Sequence, residues 1–135
     1  MRQDLTKSQR RRIRELAGIA YDRELSRELK ALEDHFARWC GGEIDAHELS
    51  DRIHVFHQGP NRSLFLMYTG SDRDVAVASA IGRGILTEEE ATPEIVGLLS
   101  GLIEYARDAN RAGGTVDASE SDSAGSRPSR GSPHV

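Results

Sequence analysis

From Thr6 to Cys40 the chain contains no proline and one glycine, Gly18, and this uninterrupted stretch restricts the possible folds more than any other feature. Thr6-Lys7-Ser8-Gln9 has capping-box spacing, in which a hydroxyl and an amide side chain each satisfy a backbone group of the first turn. Gly41-Gly42 supplies the residue type that most readily closes a helix. A single helix over residues 6–40 is therefore expected, about 50 Å long at about 1.5 Å per residue. Within it Leu25, Leu29, Leu32, Phe36 and Trp39 recur at alternating steps of four and three, the spacing that lines one seam against a partner. Ile13, Leu16 and Ala20 follow the same rule upstream. The two runs are offset by five residues between Ala20 and Leu25. The stripe therefore shifts round the helix and is expected to meet two different neighbours, with Gly18 placed to ease a bend.

Asp45-Ala46-His47-Glu48 reads as another capping box and marks a second helix, with Ile44 and Leu49 placed as a hydrophobic staple across its start. It is expected to run to Gln58, to stop at Gly59-Pro60, and to bury Leu49, Ile53 and Phe56, forming an antiparallel hairpin with the first helix. Asn61 to Thr69 fits a short third helix, since a lone strand over Leu64 to Tyr68 would have nothing to pair with. Ser71-Asp72-Arg73-Asp74 caps a fourth helix ending near Arg83, whose small apolar residues suit the middle of a bundle. Thr87-Glu88-Glu89-Glu90 opens a short helical turn. Thr92-Pro93-Glu94 then starts a fifth helix that buries Ile95, Leu98, Leu99, Leu102, Ile103 and Ala106 and ends near Arg111.

The expected fold class is all-α: a small helical bundle of about five helices, built on a long N-terminal helical hairpin. Residues 1–112 form the bundle domain. Residues 113–135 are dominated by Gly, Ser, Asp, Arg and Pro, with only Val116 and Val135 of any apolar size, too little to offset ordering entropy, so a disordered tail is expected.

Acidic and basic residues nearly balance, 22 against 18, but they are not evenly spread. Residues 1–14 carry six basic side chains against Asp4, a net of +5, which leaves −9 on the remainder of a chain whose total is −4. The first 20 residues lack the continuous apolar stretch of a secretory signal, and no run approaches the roughly 18 to 20 apolar residues of a membrane span. A cytoplasmic location is expected, with which the single cysteine, Cys40, agrees.

Three groups of residues carry chemical potential. On the second helix His47, Asp51 and His54 share one face, and the Asp-x-x-His separation allows two side chains to share a metal ion. His57 lies nearby, as do His35 and Cys40 at the end of the first helix. That face points about 130° to 170° away from Leu49, Ile53 and Phe56, toward solvent, where little is available to orient an imidazole. Lys7, Arg10, Arg11, Arg12 and Arg14 crowd a helix start, where cations oppose the macrodipole, so local stability does not account for them. They suit contact with nucleic-acid phosphates or an acidic partner, or internal pairing with Glu88, Glu89, Glu90 and Glu94. The third group is the seam from Leu25 to Trp39. A second helix of about 13 residues covers less than half of the first, leaving the remainder to the last helix or to a second copy of the chain.

No dinucleotide fingerprint, phosphate loop, zincin helix or nucleophile elbow is present, and no cofactor is implied. The expectation is a non-enzymatic helical interaction or regulatory module with a protein partner, self-associating as a homodimer. A nucleic-acid-associated accessory protein using the basic arm is the alternative, and a metal-dependent enzyme using His47, Asp51 and His54 the third reading.

Overall fold

A computed structural model describes the backbone of residues 4–125 and the side chains of residues 4–112. The tail expected over 113–135 lies outside the residues with described side chains. Every regular element among the described residues is helical: α1 (Lys7–Cys40), α2 (Ala46–Phe56), α3 (Arg62–Thr69), α4 (Arg73–Gly82), α5 (Glu88–Leu98) and α6 (Ser100–Gly125). The all-α expectation and the long N-terminal helix hold.

Most local signals act as their chemistry dictates, although Asp72 makes no side-chain capping hydrogen bond at the start of α4 and only one half of the capping box expected at Asp45–Glu48 forms. Thr6 Oγ1 accepts from the Gln9 backbone N–H at 3.0 Å, and Gln9 Oε1 accepts from the Thr6 N–H at 2.9 Å. At the other end Gly42 takes φ +80°, and the Gly41 and Glu43 N–H groups close on the carbonyls of Ala37 and Arg38. Asp45 caps α2 by accepting from the Glu48 N–H at 2.9 Å. The second half of the chain starts α5 with another complete capping box, between Thr87 and Glu90.

Gly59-Pro60 does not end the second helix, contrary to the expectation. His57–Asn61 forms a π-helical turn, and Ala46 to Thr69 stays helical throughout, so α2 and α3 form one long rod antiparallel to α1. Pro60 lacks an N–H and its ring crowds the carbonyl one turn earlier, and the wider π turn accommodates both. The apolar run is helical: Leu64 and Tyr68, four apart, are buried, while Phe65, Leu66 and Met67 between them are exposed.

The break between the turn opened by Thr87 and the helix begun at Pro93 falls where expected, but the last helix is corrected: Leu99 divides it, and its second part runs on to Gly125 rather than ending near Arg111. Thr92 takes φ 80°, ψ 153° before Pro93, kinking α5, and Leu99 breaks the chain again at φ −103°, ψ 11° before α6. Proline disfavours a helical conformation in the residue before it, which places the kink. Ile95, Leu99 and Ile103 are buried as expected, Leu98 is partly buried, and Leu102 is exposed. Leu102 lies about 100° round the helix from Ile103, off the line of contact with α4.

The core gathers at one end of the molecule. Ile13, Leu16, Ala17 and Ala20 of α1 pack with Leu64 and Tyr68 of α3, with Ala76 to Ile81 of α4, with Ile85 and Leu86, and with Ala91, Ile95, Leu99 and Ile103. Leu16, Leu86, Ile95 and Val77 are fully buried, each contributing about 1.5–3 kcal/mol. α4 lies between α1 and α6, and Gly82 lets α6 come close: a Cβ there would sit 3.0 Å from the Ala106 Cβ and 3.1 Å from the Ile103 carbonyl oxygen. Beyond Leu25, α1 leaves this core and, among the described residues, runs on with only the π turn and α2 beside it.

Candidate interaction site

The basic residues divide by their position around α1. Arg12 turns inward to α5, donating to the Glu90 carbonyl at 2.6 Å and to Glu15 at 3.1 Å. Arg10 donates to the Leu5 carbonyl at 2.8 Å. Lys7, Arg11 and Arg14 are exposed and make no hydrogen bond or ion pair among the described residues. α1 has no acidic residue in its own first turn to offset these cations at the positive end of the macrodipole. Between the starts of α1 and α4, Arg10, Arg14 and Arg73 line a cavity of about 260 Å³ with Asp4 and Asp74.

The acidic side chains expected to neutralise this arm mostly serve other partners. The Glu90 carboxylate takes two hydrogen bonds from Arg23, at 2.9 and 2.6 Å, while Arg23 also donates to the Ile85 carbonyl. The Arg23 hydrogen bond, then the capping hydrogen bond of the Thr87 backbone, lowers the Glu90 carboxyl to a pKa of about 2. Glu94 accepts from Gln9, and Glu88 from Arg107.

His47, Asp51 and His54 are all exposed on α2, as the angular argument required. His47 and Asp51 border an open depression with Asp45, Glu48, Arg52 and Val55, and Arg52 pairs with Glu48 at 2.8 Å. His57 faces Asn61 at 3.4 Å, His35 is half-buried, and Cys40 is exposed. Among the described residues no three His, Cys, Asp or Glu side chains are grouped to hold a metal ion.

The seam is the more unusual surface. Leu25 and Leu32 are half-buried, but Leu29, Phe36 and Trp39 expose 45%, 40% and 44% of their area, and Ile53 on α2 exposes 39%. Leu49 alone is buried on α2, with Phe56 half-buried, so the expected burial of Ile53 does not occur. Two helices in contact bury only the line between them, and among the described residues no third element lies over either flank. α6, the intramolecular candidate for that cover, packs on α4 and α5 instead.

Where the seam meets the core, three polar side chains join α1, α3 and α4. Arg83 donates to both oxygens of Glu24, Tyr68 donates to Glu24 at 2.5 Å, and the Tyr68 ring stacks on Tyr21 with centroids 5.9 Å apart. Burial opposes ionisation of Glu24, but the hydrogen bonds from Arg83 and Tyr68 outweigh it and hold its pKa below the usual carboxylate range. Burial, then the bond to Glu24, pushes the Tyr68 hydroxyl well above its ordinary value. Sequence reading missed this group and Arg23, because no local spacing links residues 24, 68 and 83.

No helix among the described residues is long and apolar enough to cross a membrane. Compared with family models, curated proteins and solved structures, the chain matches none of them.

Proposed function

We propose that the protein is a non-enzymatic helical interaction module that associates, with itself first, through the open face of the α1–α2 hairpin. The observation that carries this reading is the exposure of Leu29, Phe36 and Trp39 along one line of α1, with Ile53 beside them. Exposed apolar residues scattered singly are ordinary, whereas large ones aligned on one face mark a contact surface. Two such hairpins, face to face, complete a four-helix bundle and bury both seams.

Light scattering on the eluting protein tests this. The expected result is a dimer that Leu29→Asp or Phe36→Asp converts to monomer with unchanged helix content. A monomer at all accessible concentrations overturns the reading.

A second reading, nucleic-acid association through the arm, is favoured by Lys7, Arg11 and Arg14 being exposed and unpaired among the described residues. It expects co-purifying absorbance at 260 nm that salt removes. It fails if reversing the charge at Arg10, Arg11 and Arg14 leaves retention on a nucleic-acid column unaltered.

A further inference from the structure

We infer that the occupant of the open face is a second copy of this chain lying antiparallel across α1, so that the basic arm of each copy covers Phe36 and Trp39 of the other. The inference rests on the self-association proposed above and adds its geometry.

Three observations point to this arrangement. The first is that arm and seam are one stripe. At about 100° per residue, Lys7, Arg11 and Arg14 fall within the same arc of about 60° as the exposed Leu29 and Phe36; Leu25, also in that arc, is half-buried and packs on the edge of the core. The core residues of α1, Ile13, Leu16 and Ala20, lie on the other side. One outward face of a continuous helix is therefore cationic in its first half and apolar in its second.

The second is that this polarity is self-complementary in only one sense. Parallel pairing sets arginine on arginine. Antiparallel pairing sets guanidinium groups over the electron-rich faces of Phe36 and Trp39, and brings them to the end of the hairpin that carries Glu33 and Glu43. A two-fold axis makes every such contact twice.

The third is Gly18, midway along the stripe. Glycine inside a helix costs about 1 kcal/mol relative to alanine. Gly18 is exposed and has no atom within 4 Å of the Cβ position, so no packing among the described residues requires its small size. At the antiparallel crossing it admits Leu32 of the second copy. That register puts Leu25 near the two-fold axis and Arg11 beside Trp39 and Cys40 of the other copy.

Arg11→Cys, keeping the native Cys40, provides the test. Positions 11 and 40 of one chain are about 43 Å apart along α1, so a disulfide between them must join two chains. Mild oxidation of the full-length variant is expected to give a covalent dimer whose unreduced digest links positions 11 and 40, and Arg11→Cys with Cys40→Ser is expected to abolish it. Arg11→Glu with Arg14→Glu should weaken the non-covalent dimer by about tenfold or more. A dimer by light scattering that yields only Cys40–Cys40 links, or no link, overturns the antiparallel arrangement while leaving self-association in place. A protein that is monomeric before oxidation overturns both.

Discussion

Glu24 and Arg83, 59 residues apart in sequence, meet through two near-parallel hydrogen bonds of 2.9 and 2.8 Å, fastening α1 to the end of α4. The Glu24 side chain is 13% exposed and that of Arg83 26%, so the pair is largely shielded from solvent, and Tyr68 and Ser79 satisfy further polar positions around it. Such a geometry is specific in direction and distance, which a purely apolar contact at this corner would not be.

Removing one partner leaves the other desolvated and unmatched. Glu24→Ala is expected to destabilise the protein by about 2–4 kcal/mol, and Tyr68→Phe by about 1 kcal/mol, since the phenol contributes one neutral donor. Urea unfolding followed by circular dichroism measures both. Equal, small losses would show that the guanidinium is already well solvated.

Acid should weaken the fold through Glu24 and Glu90. Both have folded pKa values depressed below the ordinary carboxylate value, that of Glu90 to about 2. Their contribution is complete above the unfolded value and is lost as pH falls through the folded one, so the melting temperature should drop between pH 4.5 and about 2. The double variant Glu24→Gln, Glu90→Gln should start lower and show a shallower acid decline.

The π turn sets the relative rotation of α2 and α3. Deleting Gly59 would restore α-helical spacing but turn everything after it by about 100° relative to α2. Leu64 and Tyr68 would leave the core, and Tyr68 would lose Glu24. Expected results are a loss of more than about 3 kcal/mol and a reduced near-ultraviolet signal from the Tyr21–Tyr68 stack.

Thr92 holds φ 80°, ψ 153°, a region that only glycine enters without strain. Thr92→Gly is expected to raise stability by about 1 kcal/mol, the relief of strain exceeding the extra entropy of the unfolded glycine. A lower melting temperature would mean that the threonine methyl packs better than its backbone suggests.

The parts of this fold written in neighbouring residues were legible in advance. Thr6 with Gln9, Asp45 with Glu48, Thr87 with Glu90 and the Gly41-Gly42 stop are each complete within a few positions, so their chemistry determines where helices begin and end. Gly59-Pro60 misleads because the same dipeptide ends an α-helix and is tolerated by a π turn, and the choice depends on α1 lying alongside. Leu99 breaks the last helix for a tertiary reason too, the need to bring α6 onto Gly82. The outward aspect of His47, Asp51 and His54 followed from angle alone. The fastening of Glu24 by Tyr68 and Arg83 did not, because three residues on three elements leave no periodic trace.

The core ends near Leu25, yet α1 continues to Cys40, so the outer hairpin is a cantilever held along one line of contact. Its amides should exchange with solvent by a local opening that leaves the packed end intact, giving a gradient of protection that falls from Ala20 toward Trp39. Stiffness at the free end must then come from outside the described residues, and whatever rests on Phe36 and Trp39 will be felt first as protection there.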